Sequence, residues 1–173
     1  MGNVMCVRGD IRAMKISIGV LSDTHLKHVT GDLRQIYNRY LSDRDLVLHA
    51  GDVVSTEIVD FLEKKDFHAV HGNMDPCEVQ ELLPGKKVIE LGPYRIGLIH
   101  GWGPSAGLED RVRQQFGEVD VIVYGHSHIA ANHIREGVLF FNPGAATGFS
   151  RSGIHTMGVL ELGDAVHGEI IIL

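Results

Sequence analysis

The sequence predicts an α/β fold in which two β-sheets pack face to face with helices outside, an αββα stack of layers. Through the first half, apolar β-branched runs alternate with segments of helical spacing, the pattern of parallel strands joined by crossover helices. Through the second half, apolar runs follow one another across tight glycine turns, the pattern of hairpins. At 173 residues, with 44% apolar and 22% charged side chains, the chain is long and apolar enough to bury such a core.

Residues 15–21 (KISIGVL) are apolar and rich in β-branched side chains, as a buried strand requires. Residues 30–40 then carry Leu33, Ile36, Tyr37 and Tyr40 at helical spacing. Residues 45–49 (DLVLH) form the second strand, Ser55 caps a helix reaching to about residue 64, and residues 67–71 form the third strand. Residues 87–91 and 94–100 pair as a hairpin across Gly92-Pro93. A helix over about 105–115 leads to an apolar strand at 119–124. Strands at 132–135, 138–141, 155–162 and 165–173 follow, with Gly137 and Gly163-Asp164 at the turns, so the second half is expected to be mostly antiparallel.

Residues 1–13 lack either periodicity and are read as a flexible N-terminal tail, with a single domain over 14–173. Arg8, Asp10 and Arg12 stand where a signal peptide needs an apolar stretch, and Cys6 stands where a myristoylation signal needs Ser or Thr. No apolar run approaches the ~18 residues of a membrane span. The two cysteines, Cys6 and Cys77, build neither a disulfide framework nor a zinc motif, which fits a reduced, cytoplasmic chain. A net charge of −6 argues against a broad nucleic-acid surface, although bound cations can reverse the local sign for a small phosphorylated molecule. Whether the chain is a homo-oligomer is left open.

Five segments end in metal-binding side chains where an apolar run stops: Asp23-Thr24-His25, Gly51-Asp52, Gly72-Asn73-Met74-Asp75, His100-Gly101 and Gly125-His126-Ser127-His128. In open α/β sheets ligands bind beyond the carboxyl ends of strands, and all five segments fall there. Extended backbone would point each two-apart pair, Asp23 with His25 and His126 with His128, to one side. Asp23 and Asp52 carry two negative charges, while His25, Asn73, His100, His126 and His128 are neutral ligands. Two divalent cations would therefore leave a net charge of about +2, which attracts phosphate and lowers the pKa of bound water from 15.7 to about 7. Asp52 is the natural carboxylate to share between both ions.

These residues, in this order, resemble the motifs of the calcineurin-like metallophosphoesterases, and the short Gly-Asn-x-Asp form resembles that family's small bacterial and archaeal branch, often described as phosphodiesterases. The resemblance spans about residues 14–173 and implies a β-sandwich flanked by helices. It implies one ion held by Asp23, His25, Asp52 and His128, and a second held by Asp52, Asn73, His100 and His126. Mn²⁺ is the foremost metal, with Fe, Zn²⁺ or Ni²⁺ open. The activity implied is hydrolysis of a small phosphodiester or phosphomonoester by a hydroxide bridging both ions. Asp52 and Asn73 are expected to bear on catalysis most directly.

One departure stands out: many larger members carry His-Glu after Gly-Asn, where this chain has Met74-Asp75. Methionine cannot protonate a leaving group, so good leaving groups are expected to react best. The rival reading is a non-catalytic protein-binding scaffold of the same fold, similar to the retromer subunit of vacuolar sorting. Met74 favours the scaffold, and the complete ligand set favours the enzyme. A nuclease is disfavoured by the acidic charge. Taken singly, Asp23, Asp52 and Asn73 also suit turns. His49 and His71 read as packed strand histidines, and Asp75 as either a partner of a ligating histidine or a cap of the next turn. Asn142-Pro143-Gly144 reads as a structural turn, Cys77 as a small buried residue, and Trp102 as a lid residue or a stacking surface for an aromatic leaving group.

Overall fold

The computed structural model describes residues 15–150 and 153–173, so the tail expected over 1–13 lies outside the described residues. In chain order the first elements are β1 (Ile16–Leu21), α1 (Gly31–Ile36), β2 (Leu46–His49), α2 (Thr56–Leu62), β3 (Asp66–Ala69) and α3 (Cys77–Leu82). Next come β4 (Lys86–Leu91), β5 (Tyr94–Ile99), α4 (Leu108–Arg113) and β6 (Val121–Val123). The last are β7 (Ala131–Arg135), β8 (Val138–Asn142), β9 (Thr156–Leu162) and β10 (Val166–Ile172).

They form two five-stranded mixed sheets, ordered β10-β9-β1-β2-β3 and β4-β5-β6-β8-β7. In the first sheet β1, β2 and β3 run parallel, and β9 and β10 are added antiparallel. The second half is mostly antiparallel as expected, but not throughout. Although β4–β5 and β7–β8 are hairpins, β5, β6 and β8 run parallel to one another. Gly92 and Gly137, both at positive φ, mark where the chain reverses locally. They carry no information about which distant strand each hairpin joins. Each sheet therefore presents three parallel carboxyl ends, and the chain places both sets at the same edge of the sandwich.

Strands buried on both faces explain the continuous apolar runs. Leu46 and Leu48 of β2 point between the sheets toward Ile96, Leu98, Val121, Val123 and Phe141, while Val47 points outward. On that outer face it meets a layer built from Leu33, Ile36, Ile58 and Leu62 of the helices. Ile122 and Phe140 make the corresponding outer layer with Leu108 and Val112 of α4, and with Phe116. The expected N-cap forms: the Ser55 hydroxyl accepts from the Glu57 N–H at 3.1 Å. Thr30 caps α1 in the same way, accepting from Leu33 N–H at 3.2 Å. α1 then widens into a π-helical turn, Tyr37–Leu41, whose Leu41 fills the space above Gly19 that a Cβ would occupy. The helix α3 was not foreseen, because only Val79 along it is buried and no apolar stripe marks it.

Phe141 is the tightest element between the sheets. It is fully buried, and its ring leaves no room for a Cβ at Gly158 or Gly168 of the opposite sheet. Phe141→Ala is expected to destabilise the fold by about 3–5 kcal/mol in urea unfolding. A loss below about 1 kcal/mol would contradict this packing.

Candidate metal centre

The seven expected ligands all lie just beyond strand ends, and five of them have left-handed rather than extended backbone. Among the described residues, the non-glycine positions at positive φ are Asp23, His25, Asp52, Val54, His126, His128 and Glu136. Five of these seven are expected ligands. Left-handed conformations are costly for side chains with a Cβ, and structures concentrate them where surroundings over-determine the geometry. Here the determinants are visible. Asp23 N–H donates to Gly51 O and His25 N–H to Asp52 O, each at 3.0 Å, stitching the first two loops together. So the two-apart ligands converge through alternate left-handed residues, not through the extended backbone expected. Gly72 and Gly125 are needed for closeness: a Cβ on the first would strike the Asp52 carboxylate, and one on the second the Ser22 hydroxyl.

Ligand atoms of Asp23, His25, Asp52 and His128 all lie within 4.8 Å of one another. His128 Nε2 is 3.1 Å from Asp23 Oδ1 and 3.3 Å from His25 Nε2. His25 Nε2 stands 3.7 Å from both Asp23 Oδ1 and Asp52 Oδ2. Asp52 Oδ2 also lies 3.3 Å from His100 Nε2, linking this group to a second. There the His100 and His126 rings meet edge to face, 5.3 Å apart, and His126 Nδ1 is 2.9 Å from Asn73 Oδ1. All seven side chains thus form one connected cluster, with both sheets contributing. A groove of about 630 Å³, walled in part by His71, Lys86 and Trp102, opens onto Asn73 and His100.

Hydrogen bonds on the outer ring nitrogens leave bare nitrogens facing inward. His100 Nδ1–H donates to Ala50 O at 2.7 Å, His128 Nδ1–H to Phe149 O at 2.6 Å, and His126 Nε2–H to Gly103 O at 2.8 Å. In each case the remaining nitrogen presents its lone pair to the cluster, as metal-ligating histidines do. Among the described residues three buried side-chain atoms have no hydrogen-bond partner; two of them, Asp23 Oδ1 and His100 Nε2, lie in this cluster, and the third, His155 Nδ1, lies outside it. Buried polar atoms are otherwise nearly always satisfied, so this convergence of lone pairs fits divalent cations.

The electrostatics agree. Burial pushes the Asp23 carboxyl up, but the imidazoles of His128, His25 and His100, when protonated, and the hydrogen bond from Ser22 hold it well below the usual carboxylate range. Asp52 behaves alike: burial opposes ionisation, and the neighbouring His100 imidazole, when protonated, overcomes it. His100 in turn holds its proton more tightly than a free imidazole, because the two carboxylates outweigh its burial. His128 does so chiefly because the Asp23 carboxylate stands 3.1 Å from its inward nitrogen. Protons and cations thus compete for the same lone pairs.

Supporting residues differ from expectation in three places. Asp75 neither touches a histidine nor caps α3, whose N-cap is Pro76. Its carboxylate accepts from the backbone N–H groups of Asp52 (3.0 Å), Val54 (2.5 Å) and Gly72 (2.7 Å), binding the second and third loops together. Asn142 is more than a turn residue: its Nδ2 donates to Gly125 O at 2.9 Å and to Ser127 Oγ at 3.1 Å, latching the loop that carries His126 and His128. Cys77 is exposed, not buried. His49 is the packed strand histidine expected, fully buried and driven down to about 3 by that burial, hence neutral. It still serves the loops, with Nδ1 accepting from Gly51 N–H at 3.2 Å. Histidines without motif context lie elsewhere: His28 pairs with Glu57 at 2.9 Å, and His133 with Glu109 at 3.1 Å.

Among the described residues, no helix is long and apolar enough to cross a membrane. A protein named probable metallophosphoesterase from Methanocaldococcus jannaschii is 34% identical over 160 residues, covering 89% of this chain and 80% of the relative. The solved structure described as a novel archaeal phosphodiesterase is 26% identical with a TM-score of 0.70, covering 91% of this chain and all of that one (100%). Wild-type Vps29 of Entamoeba histolytica, solved in complex with zinc, is 27% identical with a TM-score of 0.68, covering 91% of this chain and 99% of its own. The sequence profile of the calcineurin-like phosphoesterase superfamily domain matches residues 14–165. Five bent loops at the shared edge of two sheets, with these relatives, place the chain in one family: it belongs to the calcineurin-like phosphoesterase superfamily.

Proposed function

We propose that this protein hydrolyses phosphate esters, phosphodiesters foremost, with two divalent cations in the cluster, Mn²⁺ being the first to try. The observation that carries the reading is the pair of unpartnered buried atoms, Asp23 Oδ1 and His100 Nε2, on either side of Asp52. Asp23, His25, Asp52 and His128 would hold one ion, and Asp52, Asn73, His100 and His126 the other. Bound there, such ions supply a hydroxide near neutral pH and offset the charge that builds on the phosphoryl oxygens. The protein's own contribution is placement. Asp52 directs Oδ2 at the cluster while Oδ1 accepts from Met74 N–H at 2.8 Å, so its carboxylate cannot swing away. Asp23 is fixed likewise, Oδ2 accepting from Ser22 Oγ–H at 2.6 Å and from His126 N–H at 3.1 Å. The archaeal phosphodiesterase likeness supports a diester substrate.

A second reading, a scaffold without catalysis, is favoured by the 60% exposed Met74 at a position where a proton donor would be useful and by the similarity to Vps29. Turnover separates the two, and two further measurements test the ions and the proton donor. Bis-p-nitrophenyl phosphate should be turned over with Mn²⁺ and not with EDTA, and Asp52→Asn should lower that rate by about 100-fold or more, since even outer partners of ligands are worth 10–100-fold. An Asp52→Asn protein with both metals bound and full activity would refute the assignment. Mn²⁺ at about 100 times its Kd should raise the melting temperature by about 5–10 °C, from roughly 2.7 kcal/mol of binding linkage at about 2–4 °C per kcal/mol. A midpoint indifferent to both metal and chelator would count against any ion in the cluster. Because Met74 donates no proton, diesters with aryl leaving groups should react faster than those with alkyl leaving groups. Equal rates for the two would show that another group supplies the proton.

A further inference from the structure

Two exposed aromatic residues stand near the cluster, Phe149 with its ring beside His128 and Trp102 along the groove that opens onto His100. Phe149 is 70% exposed, and its ring centroid lies 6.0 Å from that of His128, which packs on His25. It is held there because its carbonyl accepts the His128 Nδ1–H bond at 2.6 Å. Trp102 is 43% exposed and walls the groove that opens onto His100 and Asn73. Its carbonyl accepts from Arg111 Nε–H at 2.9 Å, and the next carbonyl, Gly103 O, accepts from His126 Nε2–H at 2.8 Å. Phe149 is thus tied directly to His128, and Trp102 is tied to the cluster only through the neighbouring Gly103 carbonyl on His126.

Charge along the groove points the same way. Lys86 is the one lysine or arginine lining it, and its Nζ already donates to Gln115 O at 3.0 Å. A second phosphate or a polyanionic arm would find only that single cation along the groove. A flat uncharged group laid on either ring would gain apolar burial and stacking that the free protein leaves unused.

We propose that Trp102 and Phe149 are specificity residues, each receiving one uncharged aromatic arm of a phosphodiester whose phosphorus sits over the cluster. This inference rests on the phosphoesterase reading above and narrows its substrate class to diaryl-type phosphodiesters. A monoester engages one ring at most, and a dialkyl ester stacks on neither.

The test holds the leaving group constant as p-nitrophenolate and changes only the retained arm, comparing phenyl with methyl p-nitrophenyl phosphate on the Mn²⁺-loaded protein. The phenyl ester should show a kcat/KM about tenfold higher, the upper range for one aromatic pair. That ratio should fall below about threefold in the Trp102→Ala, Phe149→Ala double variant, with the metal-induced rise in melting temperature retained as proof of an intact cluster. Trp102 is the chain's single tryptophan, so binding is read separately from turnover: diphenyl phosphate should change its fluorescence, and dimethyl phosphate should not. Turnover with neither a phenyl preference nor a fluorescence difference would overturn this inference alone. Absence of turnover on every ester would sink the phosphoesterase reading, while the fluorescence titration would still decide whether Trp102 receives an aromatic arm.

Discussion

Two carboxylates held side by side out of water, Asp23 and Asp52, are the constraint on which this end of the molecule depends. Buried charge is tolerated only when it is paired and hydrogen-bonded. Each carboxylate spends one oxygen on backbone or hydroxyl donors and turns the other toward imidazoles. The surrounding architecture follows from keeping those inward oxygens close without letting them relax. Left-handed ligands, glycines with no space for a side chain, and the Asp75 carboxylate across two loops all work toward that end. The strain is local, and a packed double-sheet core on the other side of the loops holds it in place.

Much of the fold was legible in the sequence because its strands are covered on both faces. A run such as VLFF, which feeds two different apolar layers by turns, can hardly be anything else. The clustering of the candidate ligands was legible for a related reason: parallel strands bring their carboxyl ends to one edge, so polar side chains just past those ends meet. Direction was harder to read. The parallel pairing of β5, β6 and β8 is a non-local fact, and turn glycines report only on their neighbours. The helix α3 was hidden because it lies on the surface with one buried side chain.

The site's supports were less legible than its ligands. A carboxylate that binds loop amides, as Asp75 does, has the same local sequence as one that caps a helix. An asparagine in Asn-Pro-Gly reads as a turn whether or not its amide latches a distant loop. Nor does any propensity announce that Asp23, His25, Asp52, His126 and His128 adopt left-handed backbone. That conformation is imposed by crossing hydrogen bonds between loops that are far apart in the chain.

The cluster is shared across the seam of the sandwich: Asp23, His25, Asp52 and Asn73 follow strands of one sheet, and His100, His126 and His128 follow strands of the other. Either ion position named above draws on both sheets. A bound cation would therefore rivet the two halves at one rim, leaving the opposite rim to the apolar layer alone. Shear between the sheets would then pivot about the loops instead of sliding freely, and the resting chain and the loaded chain would differ in stiffness before they differed in shape.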